Sequence, residues 1–240
     1  MQKPLISIII PAYNGELYLA KALQSIEEQT CTQPKETWII DNGSTDHTRL
    51  IAQSFPWAHY HYSKKLGTAR ARNLGIQKST GTFIAFLDQD DVWSTEKLEK
   101  QVSFLQNNPE VSAVISLQQM FLESEITKPH WLKQEFLEKP QAGYLPSALM
   151  IRRSALLKTN VFDPDFPSTS DVAWFLKAKH QGLRVEMIPE VLLYRRIHSH
   201  NDSHHCKQLQ EEMLRAIQKS LHERRSSHLK NEPNTEAPHV

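Results

Sequence analysis

The sequence has no apolar run of membrane-spanning length, no internal repeat, almost no net charge and only two cysteines in 240 residues. Each absence excludes something. A net charge of +1 rules out the global basic field that drives non-specific nucleic-acid binding. Cys31 and Cys206 form neither a close pair nor a metal-binding pattern, so both are expected reduced, as in a reducing compartment. The opening "MQKPLISIIIPAYNG" turns polar after a short apolar core, too short for a signal or spanning helix. The chain is therefore expected to fold in the cytoplasm, with peripheral contact to the inner face of the membrane left open. The G-x-G-x-x-G of dinucleotide-binding folds is also absent, since "GTARARNLG" does not match it.

What is present is an alternation of β-branched strands and amphipathic helices. Residues 5–10 ("LISIII") carry no charge, as expected of a strand covered on both faces. Helix 16–29 follows, with Leu19, Ala22, Leu23 and Ile26 at helical spacing. The same reading predicts strands at 37–41, 59–63, 82–87 and 111–117 and helices at 46–54, 67–79 and 95–107. Such alternation implies an α/β fold, a mainly parallel central sheet with helices on both faces, whose ligands lie beyond the carboxyl ends of the strands. Three segments place polar residues there: "IIIPAYN", "WIIDNGSTD" and "FLDQDD". They are expected to converge on one cleft.

Asp88, Asp90 and Asp91 crowd the end of an uncharged strand, where like charges repel unless a partner offsets them. One carboxylate would serve the following helix N-terminus. Three suggest a hard divalent cation, Mg²⁺ or Mn²⁺, held by few protein oxygens and completed by water and phosphate.

Together, "SIIIPAYNGELYLAKALQSIEEQT", "WIIDNGSTDHT", "GTARARNLGIQKSTGTFIAFLDQDDVWSTEKLEKQ" and "SDVAWFLKAKHQG" resemble the family 2 glycosyltransferases, across about residues 4–115 and 143–200. The resemblance implies a GT-A type Rossmann-like sandwich over residues 1–225 and an inverting, metal-dependent transfer of one sugar from a nucleotide diphosphate, usually UDP. It divides that domain into a nucleotide-binding half (1–117), an acceptor-side half (118–206) and a basic helix (207–225). It also assigns roles. Pro11 and Tyr13 would line the base pocket, Asp41 would hydrogen-bond base or ribose, and Gly67 would let backbone approach the ligand. Arg72, rather than the solvated Arg70, would face the nucleotide. Asp88 would serve both donor and cation, with Asp90 and His198 as further metal ligands. Asp171 would be the base that takes the acceptor's proton, although Ser170 or Asp171 would equally make a normal helix cap. Two positions depart from the family pattern, with Asn42 and Ser170 standing where relatives often carry acids. They motivate the alternative of a sugar-nucleotide-binding module without catalysis. The spanning helices and Q-x-x-R-W segment of processive synthases are missing, which favours single addition.

The acceptor, whether glycan, lipid-linked or small molecule, is not legible. Segment 118–142 reads as a variable loop or lid, "YLPSALMIRRSALL" as a strand and short helix, 170–182 as a helix and "LRVEMIP" as a last strand. Histidines 198, 200, 204 and 205 lack diagnostic zinc spacing and, His198 apart, read as solvated. Helix 207–225 is expected to pack by its stripe of Leu209, Met213, Ile217 and Leu221, with anionic lipid as its other possible contact, and 226–240 is expected to be a disordered tail.

Overall fold

A computed structural model describes residues 3–64, 67–124, 126–159, 161–201 and 206–230, with backbone only for 206 and 223–230. Its framework is the expected alternation: β1 (Ile6–Ala12), α1 (Leu19–Glu27), β2 (Lys35–Asp41), α2 (Thr48–Gln53), β3 (Ala58–Tyr62), α3 (Thr68–Lys78) and β4 (Phe83–Phe86). After these come β5 (Val92–Trp93), α4 (Lys97–Asn107), β6 (Ala113–Leu122), α5 (Glu135–Glu138), β7 (Gln141–Ala142) and β8 (Met150–Arg152). The chain continues through α6 (Arg153–Lys158), α7 (Ser170–His180), β9 (Val185–Ile197) and α8 (Cys206–Lys230).

The strands form one sheet in the order β3-β2-β1-β4-β8-β6-β9-β5, with β7 on β6. The pairs β3/β2, β2/β1, β1/β4 and β6/β9 are parallel, whereas β8 runs antiparallel between β4 and β6. Ile8 and Ile10 of β1 face one core with Leu19, Leu23, Val102 and Leu105 of α1 and α4. Ile9 faces the other, with Ile76, Leu156 and Trp174 of α3, α6 and α7. A strand buried on both faces needs no polar alternation, which is why "ISIIIPA" is almost uniformly apolar. Pro11 lies within β1, buried and in register with Ile40.

Several boundaries differ from the sequence reading. The strand expected to stop at Pro189 runs on to Ile197, because β6/β9 pairing breaks register around Ser116–Gln118 and the bulge accommodates a residue that cannot donate to a ladder. β6 likewise continues to Leu122, taking the first residues of the expected loop. The rest of that segment is not simply loose. Leu132 is buried with Met120 and Ile197, and Trp131, Phe136 and Leu137 pack around them.

Helix α8 extends beyond the expected end at 225 to Lys230; the remainder of the expected tail, 231–240, lies outside the described residues. It packs on α7 by a face other than the one anticipated. Glu212, Ala216 and Ser220 are buried, while Met213, Leu214, Ile217 and Leu221 are exposed. Small side chains allow the two helices to approach, and the apolar stripe faces outward. No helix among the described residues is long and apolar enough to cross a membrane.

Candidate active site

The carboxyl ends of β1, β2 and β4 meet, and side-chain to backbone hydrogen bonds join them. Asn14, at φ 46 in the left-handed region its residue type tolerates, accepts from the Thr45 amide at 2.9 Å and donates its own to Ser44 Oγ at 3.0 Å. The Gly15 amide reaches Thr48 Oγ1 (2.7 Å) and that of Glu16 reaches Asp46 Oδ2 (3.0 Å). Gln89, the middle residue of "DQD", clamps Tyr13 from both sides. Its Oε1 accepts the Tyr13 amide and its Nε2 donates to the Tyr13 carbonyl, each at 2.9 Å. A Cβ on Gly15 would stand 2.3 Å from that Oε1, so the clamp needs a glycine there. Tyr13 itself remains about half exposed, its ring open to a ligand.

On the β2 side, Asp41 is buried. Its Oδ1 takes the amides of Gly43 (3.1 Å) and Ser44 (2.8 Å), and its Oδ2 takes the Tyr60 hydroxyl (2.6 Å). Burial, then the Asp41 partner, pushes the Tyr60 hydroxyl well up from its usual range. Asn42 accepts the Gly67 amide at 3.0 Å, which an aspartate would also do, so its lack of charge leaves this tether intact. Gly67 adopts φ +84 as it leads into α3, and a Cβ there would meet nothing within 4 Å.

From α3, Arg72 is buried beneath the acidic turn, pairing with Asp88 Oδ1 at 2.6 Å and lying over the Phe162 ring at 5.5 Å. Its Nε has no hydrogen-bond partner among the described residues. A buried unpaired guanidinium donor is costly, and an anionic ligand oxygen would relieve it. Arg70 is exposed, as expected.

The three aspartates of the turn do not face one another around a shared point. Asp88 takes Arg72, and its amide donates to Ser147 Oγ (3.0 Å). Asp90 Oδ2 accepts from Asn201 Nδ2 (3.1 Å) and from His198 Nε2 (2.9 Å). Because His198 Nδ1 accepts the His200 amide at 3.2 Å, the ring proton sits on Nε2 and points at Asp90. Asp91 turns inward and is buried; its Oδ1 accepts the Arg196 amide at 3.2 Å. Burial, then the charges of Asp90 and Asp88, holds its carboxyl well above the usual range. The crowding that suggested three cation-facing carboxylates is thus resolved by divergent partners, and Asp91 leaves the set.

Among the described residues no three His, Cys, Asp or Glu side chains are grouped so as to hold a metal ion. His198, expected as a ligand, hydrogen-bonds Asp90. Asp88 and Asp90 are hard oxygen donors, and this pair fits Mg²⁺ or Mn²⁺ of the kind that takes one or two carboxylates and fills its other positions with water and phosphate.

Asp171 is the second residue of α7, whose cap is Thr169, not Ser170 or Asp171, and no side-chain cap bond forms there. The Asp171 carboxyl accepts only the Val172 amide at 2.8 Å among the hydrogen bonds of the described residues. Burial raises its pKa; Arg72, that amide and Arg195 pull it down, and Asp88 pushes it up. Charged groups of α3, β9 and the acidic turn are thus near enough to Asp171 of α7 to act on it. Behind Asp171, Glu212 of α8 accepts the Ser168 amide at 3.0 Å. Buried Ser170 occupies the place of the second family acid. His200 is exposed, and His204 and His205 lie outside the described residues, as does the Cys206 side chain; Cys31 is buried and free.

Sequence reasoning missed Gln89, Ser147, Arg195, Arg196 and Asn201. Two adjacent arginines in the otherwise apolar "VLLYRRI" were the available signal; the others had none.

Comparison with known proteins bears on the family and the fold. The chain is 37% identical over 113 residues to the UDP-Glc:alpha-D-GlcNAc-diphosphoundecaprenol beta-1,3-glucosyltransferase WfgD of Escherichia coli, covering 45% of this chain and 44% of that one. It spans less than half the length of that relative. Two solved structures, each 20% identical, share the fold. TarS 1-349 of S. aureus in complex with UDP superposes with a TM-score of 0.64 over 89% of this chain and 66% of that one. The mannosyltransferase PcManGT of Pyrobaculum calidifontis, in complex with GDP-Man and Mn²⁺, does so with a TM-score of 0.68 over 92% and 65%. The family model "Glycosyl transferase family 2" matches residues 7–166. With two thirds of its length so matched, the chain belongs to glycosyl transferase family 2.

Proposed function

We propose that the protein is an inverting transferase that moves one sugar from a nucleotide diphosphate, UDP in the first instance, to an acceptor hydroxyl. The observation that carries this reading is buried Arg72, paired with Asp88 at 2.6 Å and with its Nε unpartnered among the described residues, a donor suited to an oxygen of the sugar donor's diphosphate. Tyr13, Pro11, Asp41 and Gly67 would form the nucleoside side, where Asp41 acts chiefly by shaping the turn. Arg72 would bind a phosphate oxygen through its unpaired Nε. Asp88 and Asp90 would hold Mg²⁺ or Mn²⁺, which when bound takes up charge on the leaving diphosphate. The acceptor oxygen attacks the anomeric carbon opposite the leaving group, and its proton passes to Asp171. The carbon–oxygen bond to phosphate breaks and the electron pair leaves with the diphosphate. Burial makes Asp171 a stronger base than an exposed aspartate, and the Arg72 charge opposes that rise.

Support for the donor class comes from the UDP, UDP-GlcNAc and GDP-Man complexes of the structural neighbours. The activity of WfgD makes a diphospholipid-linked sugar the first acceptor to offer. Incubation with UDP-sugars, Mn²⁺ and acceptor extracts should release UDP. Asp171→Asn should cut release by about 10²–10⁴-fold with UDP affinity retained. Tight UDP binding without turnover on any donor would instead establish the binding module.

A further inference from the structure

We propose that Arg196 is a positioning residue that holds the acidic turn from behind and sets the aim of Asp90. The proposal rests on the transferase reading for its purpose, though not for its geometry. Arg196 is 4% exposed, yet its charge is used on every side. Nε donates to the Asp90 carbonyl at 3.0 Å, the backbone amide donates to Asp91 Oδ1 at 3.2 Å, and Nη1 pairs with Glu123 at the exit of β6. The guanidinium also lies over two rings, Tyr18 at 5.1 Å and Phe121 at 4.8 Å.

These contacts close a circuit. Tyr18 packs against the His198 ring, centroids 4.5 Å apart, and His198 Nε2 returns to the Asp90 carboxylate. Arg196 therefore reaches Asp90 twice, directly through its backbone carbonyl and indirectly through Tyr18 and His198 to its side chain. A turn carrying three carboxylates in four residues would relax away from that geometry under its own repulsion, and a buried cation bound to its main chain opposes this. The planar fork matters, because a lysine would supply the charge but could not bridge the Asp90 carbonyl and Glu123 together.

The test reads position separately from catalysis. In Arg196→Lys, hydrogen exchange of the peptide spanning 87–93 should quicken about tenfold, with β1 and β2 and the melting temperature unchanged. Affinity for UDP with Mn²⁺ should fall about tenfold, while UDP affinity in chelator stays as in the parent. Glu123→Gln, which loosens Arg196 without touching the turn, should move the same peptide in the same direction by a smaller factor. Unaltered exchange at 87–93 in both variants overturns the proposal, as does acceleration spread across the whole sheet with a lowered melting temperature. Local acceleration in a protein whose parent shows no cation-dependent UDP binding upholds the role of Arg196 and sinks the metal reading instead.

Discussion

Arg72 illustrates how one side chain sets the state of another. Its guanidinium neutralises Asp88 and lowers the pKa of Asp171 against the upward push of burial. Replacing it by glutamine removes that attraction, so the Asp171 carboxyl titrates at a higher pH. As the proposed base Asp171 would work only when ionised, and activity would be lost as pH falls through its pKa. The acid limb of the pH–rate profile should therefore move to higher pH in Arg72→Gln, and a limb that stays put would remove Asp171 from the mechanism. Asp41 and Asp88 were marked in the sequence by residue type and place at the end of a strand, whereas Arg72 was marked only by the family resemblance. Gln89 and Asn201 were not, since a glutamine clamping a backbone 76 residues away leaves no trace in local pattern.

Elements are held apart or together by equally local facts. α3 approaches β1 so closely at Gly75 that a Cβ would lie 2.4 Å from Ile9 Cγ2. Gly75→Ala, which in an isolated helix gains about 1 kcal/mol, should here destabilise by about 1–3 kcal/mol through overpacking, measured by urea unfolding. At the sheet's other end Glu36 of β2 joins β1 and the loop before β4, accepting Ser7 Oγ (2.8 Å), the Thr80 amide (2.6 Å), the Gly81 amide (3.2 Å) and, within its own strand, Trp38 Nε1 (3.0 Å). Burial pushes this carboxyl up, but those donors outweigh it and hold the pKa below the ordinary value. Its contribution is present above the ordinary carboxylate range and lost as pH falls through the lowered value. Glu36→Gln should cost about 1–2 kcal/mol near neutrality, and the gap to the parent should narrow in acid. The strands β1 and β4 were readable as uncharged runs, and β2 as the short stretch "TWIID". The far half of β9 was not, because a proline that usually ends a strand sits at a bulge whose existence depends on β6.

For the whole molecule, the last described helix governs the start of an earlier one. Glu212 of α8 is buried and holds the Ser168 amide, three residues before Asp171. Glu212→Ala leaves that donor unpaired, at a cost of about 1–3 kcal/mol. It should lower kcat several-fold with UDP affinity preserved, since the nucleotide side is built by β1, β2 and β4. α8 was legible as a helix, but its inner face was not. Large apolar residues suggested the seam, whereas close helix approach selected Ala216 and Ser220, the latter bonded to His180 Nδ1 at 2.9 Å. This arrangement has a consequence for biosynthesis. A nascent chain still lacking residue 212 already possesses every strand of the sheet, so on the ribosome the sheet can assemble before α8 arrives to hold the Ser168 amide.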